Sequence, residues 1–203
     1  MNSSDLEIEV KFLVADLEGQ RQRLEEIGGE QKQPRTFENN IRFDTQWQSL
    51  MLQGKLLRLR QDTAAWITYK GVPEESRPSE ARIREELEME VQSFTTAKAI
   101  LEKVGFEPQQ VYEKYRHTYL LGDVEVVLDE LPYGDFVEIE GEDGAIRKAA
   151  EQLKLNWADR ILKNYLALMQ ELKEYHQLAF DDLTFENFSD QQAQIADLID
   201  YAD

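Results

Sequence analysis

Cysteine is absent from all 203 residues. That excludes disulfides and thiolate metal sites, and it fits a cytoplasmic protein. No apolar run approaches the roughly 18 residues that a membrane-spanning helix needs. Met1-Asn2-Ser3-Ser4-Asp5 offers no basic stretch followed by an apolar one, so the sequence predicts no signal peptide and no membrane partner. Basic residues are in the minority, 23 Lys and Arg against 41 Asp and Glu, for a net charge of −18. A broad basic surface for nucleic acid is therefore not expected. Hydrophobic residues at 41% and charged residues at 32% suit a globular chain long enough for one good-sized domain with a tail.

What the chain does have is alternation. In Glu7-Ile8-Glu9-Val10-Lys11, read as a strand, Glu7, Glu9 and Lys11 share one face, with Ile8, Val10 and Phe12 opposite. Leu57-Arg58-Leu59-Arg60 and Ile67-Thr68-Tyr69-Lys70 alternate likewise. From Arg84 to Val91, the residues Arg84, Glu86, Glu88 and Glu90 keep phase against Leu87, Met89 and Val91. Lys114 and Arg116 share a face, as do Glu138 and Glu140. Such strands form a sheet with its apolar side under helices. Its charged side faces either water, as salt-bridge ladders, or an enclosed polar lumen.

Turn and cap signals predict strands near 5–13, 36–44, 55–62, 64–70, 82–91, 111–121, 124–131 and 135–142. Helices are expected near 16–27, 93–104, 144–153 and 158–175, with 45–54 and 72–79 as loops. The order strand, helix, strands occurs twice. Glu7-Ile8-Glu9-Val10 is echoed by Glu88-Met89-Glu90-Val91, and Leu24-Glu25-Glu26-Ile27-Gly28 by Leu101-Glu102-Lys103-Val104-Gly105. This predicts an α+β fold in which two related halves close one antiparallel sheet about a pseudo-twofold axis. About eight strands can enclose a narrow lumen. Residues 1–173 make the domain. Residues 174–203 form a tail with eight carboxylates and no Lys or Arg. Phe180, Leu183, Phe185 and Phe188 predict that the tail folds back on the barrel or a partner, with a short helix near 193–201. The bland alternative is a solvated acidic appendage.

A lumen holding many charges must pair them or bind ions. Arg and Lys cradle phosphate oxygens, and carboxylates hold Mg²⁺ or Mn²⁺ that bridges to phosphate. The balance suits an anion of about four charges with one or two divalent ions, which is a triphosphate chain.

The chain resembles the CYTH family, the triphosphate tunnel metalloenzymes. The resemblance rests on Glu7-x-Glu9-x-Lys11, Asn40-Ile41-Arg42-Phe43-Asp44-Thr45, Leu56-Leu57-Arg58-Leu59-Arg60 and Thr68-Tyr69-Lys70-Gly71. It continues through Arg84-Glu85-Glu86-Leu87-Glu88, Lys114-Tyr115-Arg116, Leu128-Asp129-Glu130-Leu131, residues 134–140 and Asn164-Tyr165-Leu166. It implies a closed eight-stranded antiparallel β-barrel, or tunnel, with helices packed outside. It implies that Lys11, Arg58, Arg60, Lys70, Arg84, Lys114 and Arg116 bind and act on the triphosphate. Metal would be held by Glu7, Glu9, Glu138 and Glu140, with Glu86, Glu88 and Asp129 as further candidates. The implied activity is Mg²⁺- or Mn²⁺-dependent processing of ATP or tripolyphosphate. It is either class IV adenylyl cyclase-like, giving cyclic AMP and pyrophosphate, or a triphosphatase. The alternative is a polyphosphate-binding module without catalysis. No nucleic-acid partner is expected, and a homodimer stays open. His117 is expected in packing and His176 at the surface.

Overall fold

Alternation gives each strand one apolar and one charged face, and the strands satisfy both by closing into a ring. The computed structural model describes residues 6–74 and 78–199. In chain order these form β1 (Leu6–Val14), α1 (Leu17–Glu26), β2 (Glu30–Asp44), α2 (Ser49–Leu52), β3 (Leu56–Gln61), β4 (Ala65–Gly71), β5 (Arg82–Val91) and α3 (Phe94–Lys103). There follow β6 (Glu107–Leu121), β7 (Val124–Leu131), β8 (Gly134–Glu140), α4 (Asp143–Gln152), a 3-10 turn at Trp157–Asp159, α5 (Tyr165–His176), α6 (Phe185–Phe188) and α7 (Ala196–Ile199). The strands close in the order β1-β5-β4-β3-β2-β6-β7-β8, and every neighbouring pair, including β8 with β1, is antiparallel. Closure leaves the eight-stranded ring without a free edge strand.

Exchanging β1–β4 for β5–β8 maps this order onto itself, which is the twofold relation read from the sequence. The helices set its spacing. α1 and α3 each have ten residues, and Leu17 to Phe94, Glu30 to Glu107 and Gly28 to Gly105 are all 77 positions apart. Gly28 and Gly105 end their helices at φ of 91° and 99°, a conformation that side chains with a Cβ resist. This spacing corrects the sequence echo, which set Glu7 and Glu9 against Glu88 and Glu90. The equivalent positions are Arg84 and Glu86, and Glu7 directly faces Arg84 in the β1–β5 ladder.

The apolar core lies outside the ring. Ile8, Val10, Val137 and Ile139 are buried with Leu24 of α1 and Ile146, Ala149 and Ala150 of α4. Leu59 packs with Ala97 of α3, joined by Leu57, Phe94 and Leu101. A third cluster joins Tyr133 and Phe136 to α5 and to Leu183, Phe188 and Ile195 of the C-terminal segment. No helix among the described residues is long and apolar enough to cross a membrane.

Several boundaries differ from the sequence reading. β2 and β6 start earlier than expected, at Glu30 and Glu107, and both are 15 residues long. The 45–54 loop contains α2, tied down by Asp44, whose carboxylate accepts from the N–H groups of Thr45, Leu50 and Met51 at 2.7–2.9 Å. The expected 158–175 helix is a 3-10 turn followed by α5, which begins at the N-cap Asn164. The expected 193–201 helix appears as α7, while Asp200, Tyr201 and Asp203 lie outside the described residues. His117 stacks edge-on toward Tyr119 with ring centroids 6.3 Å apart, and His176 Nε2 meets Asp197 Oδ2 of α7 at 2.8 Å.

Candidate active site

The charged faces of all eight strands converge on a cavity of about 1190 Å³ inside the ring. Strand register brings opposite charges into direct opposition. Lys11 faces Glu138, Glu38 faces Lys114, Lys70 faces Glu86, and Arg116 faces Asp129. Desolvating an isolated charge costs several kcal/mol, so a lumen of this kind is tolerable only with such pairing.

One part of the wall is acidic. Carboxylate oxygens of Glu7, Glu9 and Glu138 lie within 4.8 Å of one another, and all three residues are buried. Lys11 Nζ is 2.7 Å from Glu9 Oε1 and 3.2 Å from Glu138 Oε2. Lys70 Nζ pairs with Glu7, and Arg82 Nη1 reaches Glu9 Oε1 at 3.2 Å. Burial, reinforced by Glu138 and Glu7, raises the Glu9 pKa against the pull of Lys11. Burial also opposes ionisation of Glu138, but Lys11, Arg116 and Lys114 outweigh it and hold that carboxyl well below its usual range. Glu140 gains no ion pair among the described residues. Burial, together with Glu7, Glu138 and Glu125, pushes it up to about 8. An all-oxygen donor set of this charge suits a hard divalent cation. Glu7 Oε2 is buried without a hydrogen-bond partner, which leaves a donor atom free for one. Mg²⁺ or Mn²⁺ fits these residues.

The rest of the wall carries most of the arginines, interleaved with carboxylates. Arg58 donates from Nε and Nη2 to Thr68 Oγ1 at 3.2 and 2.9 Å, and from Nη2 to Glu88 Oε2 at 3.1 Å. Arg60 Nη2 donates to Glu88 Oε1 at 3.1 Å. Arg116 grips Asp129 with two bonds of 2.7 and 2.6 Å, and Lys114 Nζ adds a third at 3.0 Å. The Tyr165 hydroxyl, from the first residue of α5, lies 2.9 Å from Asp129 Oδ2 and 3.1 Å from Glu138 Oε2 and shares its one proton between them. Glu38, only 2% exposed, lies 3.6 Å from Lys114 Nζ and 4.0 Å from both Arg60 and Arg116. Burial opposes its charge, but Lys114, Arg116 and Arg60 bring its pKa down to about 2.

All seven basic positions expected from the sequence therefore face the lumen or frame it. Lys11, Arg58, Arg60, Lys70, Lys114 and Arg116 hold lumen carboxylates, while Arg84 lines the cavity and donates to the carbonyls of Gly54 and Lys70. The seven acidic positions divide. Glu7, Glu9 and Glu138 meet, and Glu140 lies beside them on β8. Glu86, Glu88 and Asp129 do not join that cluster. Glu86 and Glu88 pair with Lys70, Arg58 and Arg60, and Asp129 is fully buried beneath Lys114 and Arg116. Sequence reasoning missed Arg82, Glu38, Glu125 and the inward reach of Tyr165. Arg82 and Glu38 were in phase with Arg84 and Arg42 respectively, so alternation alone could have found them.

Residues 5–177 match the model of the CYTH domain family. No curated protein matches the chain. Among solved structures, a candidate adenylate cyclase from Vibrio parahaemolyticus is 23% identical with a TM-score of 0.71, over 79% of this chain and 95% of its own. A Pyrococcus horikoshii protein is 28% identical with a TM-score of 0.65, over 78% and 96%. A candidate adenylyl cyclase from Hippeastrum, described as having dominant triphosphatase activity, is 17% identical with a TM-score of 0.57, over 82% and 95%.

Proposed function

The chain belongs to the CYTH domain family, and from that premise we propose that it is a divalent-metal-dependent enzyme that cleaves a triphosphate chain held in its lumen. One observation carries this reading: the buried Glu7, Glu9 and Glu138 cluster sits in the same lumen as the basic residues. A purely phosphate-binding module would need carboxylates only to pair its cations, whereas this cluster keeps Glu7 Oε2 without a hydrogen-bond partner and has Glu140 crowded beside it.

Lys11, Arg58, Arg60, Lys70, Arg84, Lys114 and Arg116 bind the phosphate oxygens, and Arg82 joins them. Glu88, which holds Arg58 and Arg60 in the free protein, is displaced by the anion. Asp129 stays in place and fixes the orientation of Lys114 and Arg116 through their bonds to it. Glu7, Glu9 and Glu138 would hold Mg²⁺ or Mn²⁺, with Glu140 beside them. A divalent cation there would supply charge neutralisation on the phosphate oxygens. Water attacks the terminal phosphorus, and the bridging P–O bond breaks to release phosphate and diphosphate. Arginines that hold non-bridging oxygens in a fixed geometry favour that displacement.

A second reading is the class IV adenylyl cyclase-like reaction, in which the 3′-hydroxyl of ATP attacks the α-phosphorus and pyrophosphate leaves. Met51, Leu56 and Leu166 favour it, because they add apolar surface to the otherwise charged cavity lining, where a nucleoside could rest. A product assay separates the two. ATP and tripolyphosphate are each supplied with Mg²⁺ and with Mn²⁺. Orthophosphate from both substrates supports the triphosphatase, and cyclic AMP with pyrophosphate supports the cyclase. No turnover of either substrate with either metal overturns both readings.

A further inference from the structure

The family match ends at residue 177, yet the chain beyond it builds part of the site wall. β6 is paired with β7 only from Tyr115 onward, so its earlier residues present an unpaired edge on that side. The C-terminal segment takes that edge. Leu183, fully buried, donates its N–H to Val111 O and accepts from Glu113 N, both at 2.9 Å, in a parallel bridge to Tyr112. Asp182 Oδ1 accepts from Val111 N at 2.7 Å, and Glu113 Oε2 accepts from Phe185 N at 3.0 Å. Further on, Ile195 N donates to Tyr133 O at 2.9 Å.

This docking delivers a carboxylate to the cavity. Asp181, next to the bridge, lines the cavity, pairs with Lys173 of α5, and has its carbonyl held by Gln110 Nε2 at 2.6 Å. Its side chain remains 64% exposed. Lys173 offsets part of its charge, but the exposed carboxylate stands in the lining of a lumen whose basic residues attract polyanions, and it weakens that attraction locally.

We propose that Asp181, set in place by the docked C-terminal segment, is a specificity-determining residue that favours a short phosphate chain over longer polyphosphates. This rests on the reading of the lumen as a triphosphate site. A triphosphate fits within the basic wall. A longer chain extends further along the lining and carries additional charge past Asp181, where it meets repulsion.

The test compares wild type, Asp181→Lys and Asp190→Lys. Asp190 lies on the same segment, makes the same charge change, and is absent from the cavity lining. Binding of tripolyphosphate and of polyphosphate chains of roughly fifteen units is measured by calorimetry with Mg²⁺ present. Asp181→Lys is expected to tighten long-chain binding about tenfold, with tripolyphosphate affinity within about twofold of wild type. The gain should shrink at high salt as the Debye length shortens. Melting temperatures check that the segment stays docked in both variants. Equal tightening in Asp181→Lys and Asp190→Lys overturns the proposal, because net charge alone would then explain it. An unchanged ratio of long-chain to tripolyphosphate affinity in Asp181→Lys also overturns it and leaves the lumen reading standing. If wild type binds no tripolyphosphate, the lumen reading falls, and this inference with it.

Discussion

Glu38 stands among Lys114, Arg60 and Arg116 in the lumen wall, and its chemistry can be followed with pH. Its pKa is about 2 in the folded chain, against an ordinary 4.5. A carboxyl depressed on folding stabilises the protein above its unfolded pKa, and that stabilisation is lost as pH falls toward the folded value. Glu38→Gln should therefore destabilise the protein on the order of 3 kcal/mol at pH 7. In urea titrations the gap from wild type should close between about pH 4.5 and pH 2. A gap that persists undiminished at low pH would assign the loss to packing instead of charge. The arginines allow a second comparison. Arg58→Ala and Arg116→Ala should each weaken tripolyphosphate binding or turnover by about 10²-fold, the size of a lost desolvated phosphate contact. Arg21 is also ion-paired, to Glu18 and Glu25 at 2.6 and 2.5 Å, but on the exposed face of α1. Exposed pairs contribute little, so Arg21→Ala should leave steady-state kinetics unchanged. Equal losses at all three positions would remove the lumen from the mechanism. Glu9→Gln should lower kcat strongly while the fold survives, because it relieves repulsion from Glu7 and Glu138. Wild-type rates in that variant, or full activity in EDTA, would exclude the metal role.

At the scale of elements, α5 acts through its first residue. Asn164 caps the helix by accepting from Ala167 N at 2.8 Å, and this fixes Tyr165 where its hydroxyl joins Asp129 to Glu138. Asn164→Ala should cost about 1 kcal/mol in urea denaturation, the usual value of a lost N-cap. Tyr165→Phe should leave the cap intact yet lower kcat, since the one hydroxyl proton that Asp129 and Glu138 share is lost. If Tyr165→Phe keeps full kcat, the link from α5 to the lumen is structural only. Much of this architecture was legible in the sequence, because a period of two along a strand is a local signal that one residue pair after another repeats. It placed Arg58, Arg60, Glu138 and Glu140 on one side of the wall and Leu57, Leu59, Val137 and Ile139 on the other. Alternation alone did not group the carboxylates; only the family resemblance set Glu7, Glu9, Glu138 and Glu140 apart from Glu86, Glu88 and Asp129. Glu86 and Glu9 belong to strands with the same pattern, and only cross-strand register decides that Glu86 meets Lys70 while Glu9 meets Arg82 and lies against Glu138. Likewise, Tyr165 read as an ordinary helix residue. Its inward reach depends on a break after the 3-10 turn that no local periodicity announced.

At the scale of the whole molecule, an acidic body encloses a site for an anion. The net charge of −18 repels tripolyphosphate at long range, while the basic wall attracts it only once it is inside. The two fields respond differently to salt. The Debye length falls from about 30 Å at 0.01 M to about 10 Å at 0.1 M, so added salt first removes the long-range repulsion. Contacts within the buried lumen are screened much less. With free Mg²⁺ held constant, kcat/KM for tripolyphosphate should therefore rise between about 0.01 and 0.1 M monovalent salt, and fall only at higher concentrations. A protein that captured phosphate with a basic exterior would show a decline from the start. Stopped-flow binding at both salt concentrations locates the effect. The gain should appear in the association rate, because the body's repulsion acts before contact. A monotonic fall in the association rate would mean that the field of the basic wall reaches beyond the lumen and governs capture despite the net charge.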